Sequence, residues 1–205
     1  FTRSFDTHAN QWNYGLSLVS TEWVFTLDAD YQVTPLLLTE VLEQLSSKPH
    51  LSGFSIPFKY CVFGKPLRGN ILPPRVSLFR VGSCQYFDDG HTQLLDLPLS
   101  DCGTVKSSFY HDDRKPLSRW LWAQQRYLEL ELNKLQSTPI SQLSFPDKIR
   151  RNRFLAPLLV FLYCYFFKLG FLDGWHGFYY TLQRVYFELL LSLALIEETV
   201  LGENR

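Results

Sequence analysis

An apolar run that ends in two carboxylates constrains this chain more than any other feature. The run begins at Trp23 and Val24 and closes with Asp28 and Asp30, which a single alanine separates. An aromatic and β-branched run of this kind predicts a buried strand. Because side chains alternate between the two faces of a strand, Asp28 and Asp30 are expected on the same side, where the strand runs out. Ligands of open α/β sheets bind at such carboxyl ends.

The carboxylate pair favours a divalent-metal site. Hard oxygen ligands in small number suit Mg²⁺ or Mn²⁺ that also holds substrate phosphates, because these ions keep several positions for water. The alternative is that Asp28 or Asp30 caps a helix or turn by accepting hydrogen bonds from free backbone N–H groups. A better cap candidate is Thr34, since Pro35 follows it at the first position of a predicted helix that reaches Ser47.

Charge and cysteine content limit the possible partners. The chain has 205 residues and a formal net charge of +0, so attraction to phosphate backbones is not expected and nucleic acid is excluded as a partner. The four cysteines are widely spaced and follow no secretory signal, which predicts reduced thiols in a cytosolic compartment. The chain has no methionine and no apolar strand before Trp23. We therefore expect an N-terminally truncated fragment.

Hydrophobic periodicity predicts alternating helices and strands before residue 140. Helices are expected over 7–20 and 117–135, and strands over 53–58 and 75–80. A Gly- and Pro-rich loop at 64–74 lies between the two strands and is long enough to be functional. Two further acidic clusters are expected at strand ends, namely Asp88-Asp89-Gly90-His91 and His111-Asp112-Asp113.

The residues after 140 differ in composition from those before them. A basic block at 148–153 precedes an apolar run at 155–167, and a second apolar stretch at 178–196 is interrupted by Arg184 and Glu188. The first run is too short to span a bilayer, which needs about 20 apolar residues. The pattern predicts an amphipathic helical hairpin on the headgroup layer of an anionic membrane. The alternative is that both helices cover the protein's own core or form a dimer contact.

The order of these elements resembles the family 2 glycosyltransferases of GT-A fold. The resemblance rests on the Trp-Val-x-x-Leu-Asp-Ala-Asp strand end, the Arg-x-x-Leu-Phe-Arg strand and the tail segment Gly-Phe-Leu-Asp-Gly-Trp at 170–175. It is nearest to bacterial enzymes related to lipopolysaccharide core β-glucosyltransferases. It implies an α/β fold with a mixed sheet flanked by helices, lacking its N-terminal strand or strands, plus a C-terminal helical hairpin. Residues 1–140 would form the partial GT-A domain and 141–205 the membrane-associating region.

The resemblance also assigns roles to the carboxylates and their neighbours. Asp28 and Asp30 would bind the metal and the donor diphosphate, with Asp30 as a direct ligand. Asn10 and Asn13 would line the donor side. The chain departs from the family at Tyr31, where the family often has Glu, and after the Leu-Phe-Arg strand, where Asp88-Asp89-Gly90-His91 replaces a Val-His-Glu element. Assignment of the catalytic base therefore stays open.

Three further residue types complete the candidate site. Asp89 or Asp88 is the expected catalytic base, although either could instead bond backbone N–H groups in the turn at Gly90. His111 is expected as a third metal ligand or phosphate contact, or alternatively as a hydrogen-bonded structural side chain. Arg75 and Arg80 could each bind donor phosphate bidentately. They point to opposite faces of one strand, so only one of them is expected to reach the site. Arg75 is the candidate for binding the donor.

The resulting hypothesis is an inverting glycosyltransferase that depends on a divalent metal. It would move a sugar from a nucleotide-sugar donor to a cell-surface glycan or glycolipid acceptor. Its expected location is the cytoplasmic face of the bacterial inner membrane, as a peripheral or monotopic protein. Two other classes stay open. A metal-dependent phosphotransferase or nucleotidyltransferase would use the same Asp-x-Asp element, and a membrane-associated sugar-binding module would need no catalysis.

Overall fold

The computed structural model describes residues 1–89 and 92–203 of the chain. The described residues form two compact units. The first contains residues 1–61 and 72–112, and the second contains residues 62–71 and the residues from 113 onward. The predicted division between residues 140 and 141 stays a prediction.

A mixed four-stranded sheet lies in the first unit. Its order is β1 (Trp23–Phe25), β6 (Arg75–Arg80), β3 (Gly53–Ile56) and β9 (Cys102–Thr104). Strand β6 runs antiparallel to both β1 and β3, and β9 runs parallel to β3. The sheet therefore has the mixed parallel and antiparallel pairing that was predicted.

A second sheet has the order β2 (Tyr31–Gln32), β10 (Phe109–His111), β4 (Phe58–Val62) and β5 (Lys65–Pro66). Strand β10 pairs antiparallel with β2 and parallel with β4. A two-stranded antiparallel ribbon is made by β7 (Tyr86–Asp89) and β8 (Thr92–Leu95). The short β2 strand is what brings the residues after β1 beside the end of β10.

The predicted strand that was expected to reach Asp30 is shorter than the pattern indicated. Strand β1 ends at Phe25, which forms the last pair of the β1–β6 ladder with Leu78. The Ser77 carbonyl then accepts both the backbone N–H and the hydroxyl of Thr26. Asp28 and Asp30 therefore lie in a turn and not on a strand.

Two helices of the first unit begin at threonine caps. The Thr7 hydroxyl accepts the Asn10 N–H at the start of α1 (His8–Ser17), a helix shorter than the predicted 7–20. The Thr34 hydroxyl accepts the Leu37 N–H at 3.1 Å at the start of α2 (Pro35–Ser47). The prediction of Thr34 as the cap is confirmed, so neither Asp28 nor Asp30 is needed there.

The core of the first unit lies between α2 and the strands. It is made by buried apolar side chains from α2, β3, β4, β6, β10 and the residue after β9, namely Leu37, Val41, Phe54, Ile56, Phe58, Leu78, Val105 and Phe109. Close aromatic contacts join the core to the turn after β1, because the Tyr31 ring lies 5.3 Å from Phe58 and 5.5 Å from Phe109. This packing fixes the position of the turn that carries Asp28 and Asp30.

The second unit is mainly helical. Its helices are α3 (Leu117–Ser137), α4 (Phe145–Arg151), α5 (Ala156–Leu162) and α6 (Trp175–Glu203). A π turn over Tyr163–Phe167 and a 3₁₀ turn over Gly170–Asp173 connect α5 to α6. Helices α5 and α6 pack against each other, as the predicted hairpin requires. None of the described helices combines the length and the apolar character needed to cross a bilayer.

Candidate active site

The turn after β1 places Asp30 beside the end of β10. The Tyr31 N–H donates to the Asp28 carbonyl at 3.0 Å, and β2 then pairs Tyr31 with His111. The Asp112 N–H donates to the Asp30 carbonyl at 3.2 Å, which extends this pairing by one step. As a result, the Nε2 atom of His111 lies 3.3 Å from an Asp30 carboxylate oxygen.

The His111 ring is held edge-on between two tyrosines. Its ring centre lies 5.1 Å from that of Tyr31 and 5.0 Å from that of Tyr60. Alternation along paired strands explains this cluster, because Tyr31, Tyr60 and His111 are partners in one register and share a face. Among the described residues, Nδ1 of His111 is buried without a hydrogen-bond partner. The imidazole is therefore fixed in place and retains one unused nitrogen.

These side chains fit a divalent metal. Asp30, His111 and Asp113 each offer one ligand atom, and the three atoms lie within 4.8 Å of one another. Asp113 follows His111 by two positions at the end of β10, so local chain direction puts both on one side. Two carboxylate oxygens and an imidazole suit Mn²⁺ or a similar borderline cation. Sequence reasoning gave Asp113 no role as a ligand, although this spacing of two was a usable signal.

Asp28 has different neighbours, although only Ala29 separates it from Asp30. Burial raises the pKa of Tyr31, and the Asp28 charge raises it further, while Arg75 opposes the shift. Burial also raises the pKa of Tyr86 to about 12, and the same two charges act on it in opposite directions. The charges of Asp28 and Arg75 therefore both act on the Tyr31 and Tyr86 hydroxyls. Asp28 is not in the metal-capable group found among the described residues.

Arg80 lies at the other end of β6 and has a structural environment. Its guanidinium pairs with Glu22 and lies over the Trp23 ring, 4.5 Å from the ring centre. It also donates to the carbonyl of Leu51. Arg75, in contrast, acts on the same two tyrosines as Asp28, and the expectation that only one of the two arginines reaches the site stays a prediction.

The two base candidates differ in their surroundings. An Asp88 carboxylate oxygen accepts the Ala9 N–H at 3.0 Å, so Asp88 binds the free backbone at the start of α1. Asp89 is the last residue of β7, its side chain is half-buried, and its carbonyl accepts the Thr92 hydroxyl at 3.1 Å. The turn at Gly90 and His91, where an alternative hydrogen bond was expected, lies outside the described residues. The sequence could not reveal the Ala9 contact, because 79 positions separate the two residues.

The two asparagines of α1 also differ. Asn13 donates to the Tyr86 carbonyl at 2.9 Å and accepts the Tyr86 N–H at 2.8 Å, so its amide pairs with β7 as a neighbouring strand would. The exposed Asn10 side chain donates to Asp6 at 3.1 Å. Both stay predictions as donor contacts, and Asn13 has a clear structural role besides.

The comparison with known families fits this geometry. Residues 2–93 match the family described as Glycosyl transferase family 2. The match covers just under half of the chain, includes Asp28, Asp30, Asp88 and Asp89, and ends before His111. It supports glycosyltransferase activity in general terms, with a nucleotide-sugar donor and an acceptor as substrates. The mixed sheets with flanking and C-terminal helices confirm the predicted GT-A fold class. No curated protein matches the chain.

Proposed function

We propose that this chain is an inverting, metal-dependent glycosyltransferase that transfers a hexose to a cell-surface glycan or glycolipid. The observation that carries the proposal is the Asp30 carboxylate at 3.3 Å from Nε2 of His111, within a group that can hold a cation. The family match over residues 2–93 supports the reaction class. The resemblance of the Gly-Phe-Leu-Asp-Gly-Trp segment to lipopolysaccharide core enzymes supports the acceptor class.

Asp30 and His111, with Asp113, are the residues that would hold the metal. When bound, the metal supplies positive charge that stabilises the departing nucleoside diphosphate. Arg75 would bind a donor phosphate, since a guanidinium matches phosphate geometry bidentately. Asp28, which acts on the same tyrosines as Arg75, would contact the donor beside it. Tyr31 and Tyr86 are half-buried phenols, which are protonated at neutral pH, and the Tyr86 hydroxyl donates to the Thr26 hydroxyl at 3.0 Å.

A carboxylate is needed to remove the proton of the acceptor hydroxyl. That oxygen forms a bond to the anomeric carbon as the bond to the diphosphate breaks, with inversion at that carbon. We assign the base to Asp89, because Asp88 already accepts the Ala9 N–H that anchors α1. General-base catalysis contributes roughly 10²–10⁴-fold, so Asp89→Asn is expected to lower kcat by that factor. Asp88→Asn is expected to act mainly on stability.

The test measures Mn²⁺ binding and sugar transfer separately. Mn²⁺ binding is followed by electron paramagnetic resonance in the wild type and in Asp30→Asn and His111→Gln. Asp101→Asn is a matched control, since Asp101 is an exposed carboxylate of the same unit outside the site. Turnover is measured over a panel of nucleotide sugars with lipopolysaccharide-derived acceptors.

Weaker Mn²⁺ binding and lost transfer in the two site variants, but not in Asp101→Asn, would support the proposal. Nucleotide cleavage that needs no sugar acceptor would overturn it in favour of a phosphotransferase or nucleotidyltransferase. Sugar binding that survives Asp30→Asn without turnover would overturn it in favour of a binding module.

A further inference from the structure

Helix α6 has two apolar faces, and its own unit covers only one of them. Phe187, Leu191 and Leu195 are buried in a core with α3 residues. A second row of large apolar side chains is exposed at intervals of three and four residues, namely Phe178, Leu182, Tyr186, Leu189 and Leu193. This spacing is one helical stripe. Among the described residues, these side chains lie outside the buried α3–α6 core, although the Tyr186 ring contacts Trp120 and the Phe178 ring contacts Tyr165 at its border.

The partner helix of α6 and the turn after it are also apolar on the outside. Leu158, Leu162, Phe166 and Phe167 are exposed on α5 and the π turn, and Phe167 is 74% exposed. Leu169, Phe171 and Leu172 continue the exposed apolar run toward the start of α6. We call these side chains, together with the α6 stripe, the apolar surface of the second unit. Monomeric proteins rarely expose so much contiguous apolar sequence without a binding purpose.

Hydrogen bonds and an ion pair hold one more exposed aromatic residue, Phe63, near the start of α6. The buried carboxylate of Asp173 accepts the Arg68 N–H at 2.9 Å and pairs with the Arg68 guanidinium at 3.3 Å. The Tyr180 hydroxyl accepts the Ile71 N–H at 3.1 Å. These contacts hold the 62–71 segment against the helices, so Phe63 lies 5.7 Å from the Trp175 ring while remaining 61% exposed.

Cations accompany this surface. Arg153 directly precedes Phe154 and Leu155, which are exposed at the start of α5. Lys168 lies over the Tyr163 ring at 5.3 Å and Arg184 over the Tyr180 ring at 5.5 Å. Arg184 lies on the buried side of α6, because the Tyr180 ring below it and its own Nε atom are buried, whereas Lys168 lies between the exposed Phe167 and Leu169. Among the acidic side chains, Asp173 and Glu188 are buried in ion pairs, and Glu197 and Glu198 are exposed on α6 beyond the apolar surface.

We infer that the apolar surface docks onto an anionic lipid bilayer and lies within its headgroup region. Apolar and aromatic side chains enter the boundary with the acyl chains, while Lys and Arg remain at the lipid phosphates. A second copy of the chain is a poorer occupant, because a two-fold contact would bring the same cations toward each other. Lipid binding is separate from the proposed sugar transfer and is measured without any turnover.

The experiment is vesicle co-sedimentation of the full chain. Vesicles of phosphatidylethanolamine with phosphatidylglycerol are compared with vesicles of phosphatidylcholine alone. Phe167→Ser and Leu193→Ser remove two exposed side chains of the surface, and Leu99→Ser removes an equally exposed one, 77%, from the first unit. Because each side chain is already exposed, the fold is expected to survive, and circular dichroism checks it.

Binding to anionic vesicles, with a partition coefficient that falls roughly tenfold for each surface substitution and not for Leu99→Ser, would support the inference. Two results would overturn it. One is the absence of the protein from both vesicle pellets. The other is a dimer in light scattering that Phe167→Ser and Leu193→Ser abolish, since a second copy would then cover the surface. Sugar transfer to a soluble glycan acceptor, assayed in the absence of vesicles, shows independently whether the proposed chemistry stands.

Discussion

Arg150 on α4 holds together a group of buried carboxylates in the second unit. Its guanidinium binds Glu188 of α6 through atom pairs at 2.7, 3.0 and 3.1 Å. It also reaches Asp147 at 3.3 Å and Glu131 of α3 at 3.8 Å. All three carboxylates are buried, and Lys134 contributes the other cation of the group. Burial lowers the pKa of Arg150, but the hydrogen bonds and charge of Glu188, together with the charges of Glu131 and Asp147, leave the pKa raised.

Arg150→Met tests how much this group contributes to stability. The substitution leaves three buried carboxylates facing Lys134, so an uncompensated charge stays in a poorly solvated place. Breaking a buried pair in this way costs about 3–5 kcal/mol. We expect a loss of that size in the free energy of unfolding, measured by urea titration with helical circular dichroism, which reports mainly on α3 to α6.

The double variant Arg150→Met with Glu188→Leu separates the charge effect from lost packing. It removes one charge of each sign and replaces both by apolar side chains, which is often close to neutral for a buried pair. It should therefore be more stable than Arg150→Met alone. A single variant that loses less than about 1 kcal/mol, or a double variant as unstable as the single one, would refute the reasoning.

Two predictions concern the first unit. Asn13→Ala removes both hydrogen bonds to the β7 backbone and should lower the free energy of unfolding by about 1–3 kcal/mol. The control Asn10→Ala, at an exposed position, should change this free energy little. Equal losses for the two variants in urea titrations would contradict the prediction. Glu40 accepts the N–H groups of Lys106 and Ser107, which lower its pKa from 4.5. Its stabilisation is present above pH 4.5 and lost as pH falls further, so the deficit of Glu40→Gln should shrink in acid titrations.

Local chemistry explains what the sequence could predict. The Thr34-Pro35 start of α2 depends only on neighbouring residues, and the structure has the cap where the pattern indicates it. The strand over 75–80 likewise follows from its own residue types, and it spans Arg75–Arg80 as predicted. The early end of β1 was not predictable, because it depends on where pairing with β6 stops, at Leu78. The length of a strand depends on how far it pairs with its neighbour, and the strand's own residues do not specify which neighbour that is.

Long-range contacts explain what the sequence could not predict. Asp88 looked like a catalytic residue from its acidic neighbourhood, and its hydrogen bond to the start of α1 became visible only in the fold. In the sequence, Asp173 is one residue of the Gly-Phe-Leu-Asp-Gly-Trp segment. In the structure, it holds the 62–71 segment through Arg68. A carboxylate is equally suited to a backbone N–H, a guanidinium or a metal, so its residue type leaves the partner undetermined.

The turn between β1 and β2 shows how one short motif can serve two tasks. On a strand, Asp28 and Asp30 would face the same way and could both bind one ion. In the turn that Tyr31 closes onto the Asp28 carbonyl, Asp30 meets His111, both carboxylates act on Tyr31, and Asp28 also acts on Tyr86. In the proposed enzyme, loss of Asp30 would therefore weaken metal binding, and loss of Asp28 would weaken donor binding at unchanged metal affinity. Equal loss of Mn²⁺ affinity in Asp28→Asn and Asp30→Asn would show instead that both carboxylates bind the same ion.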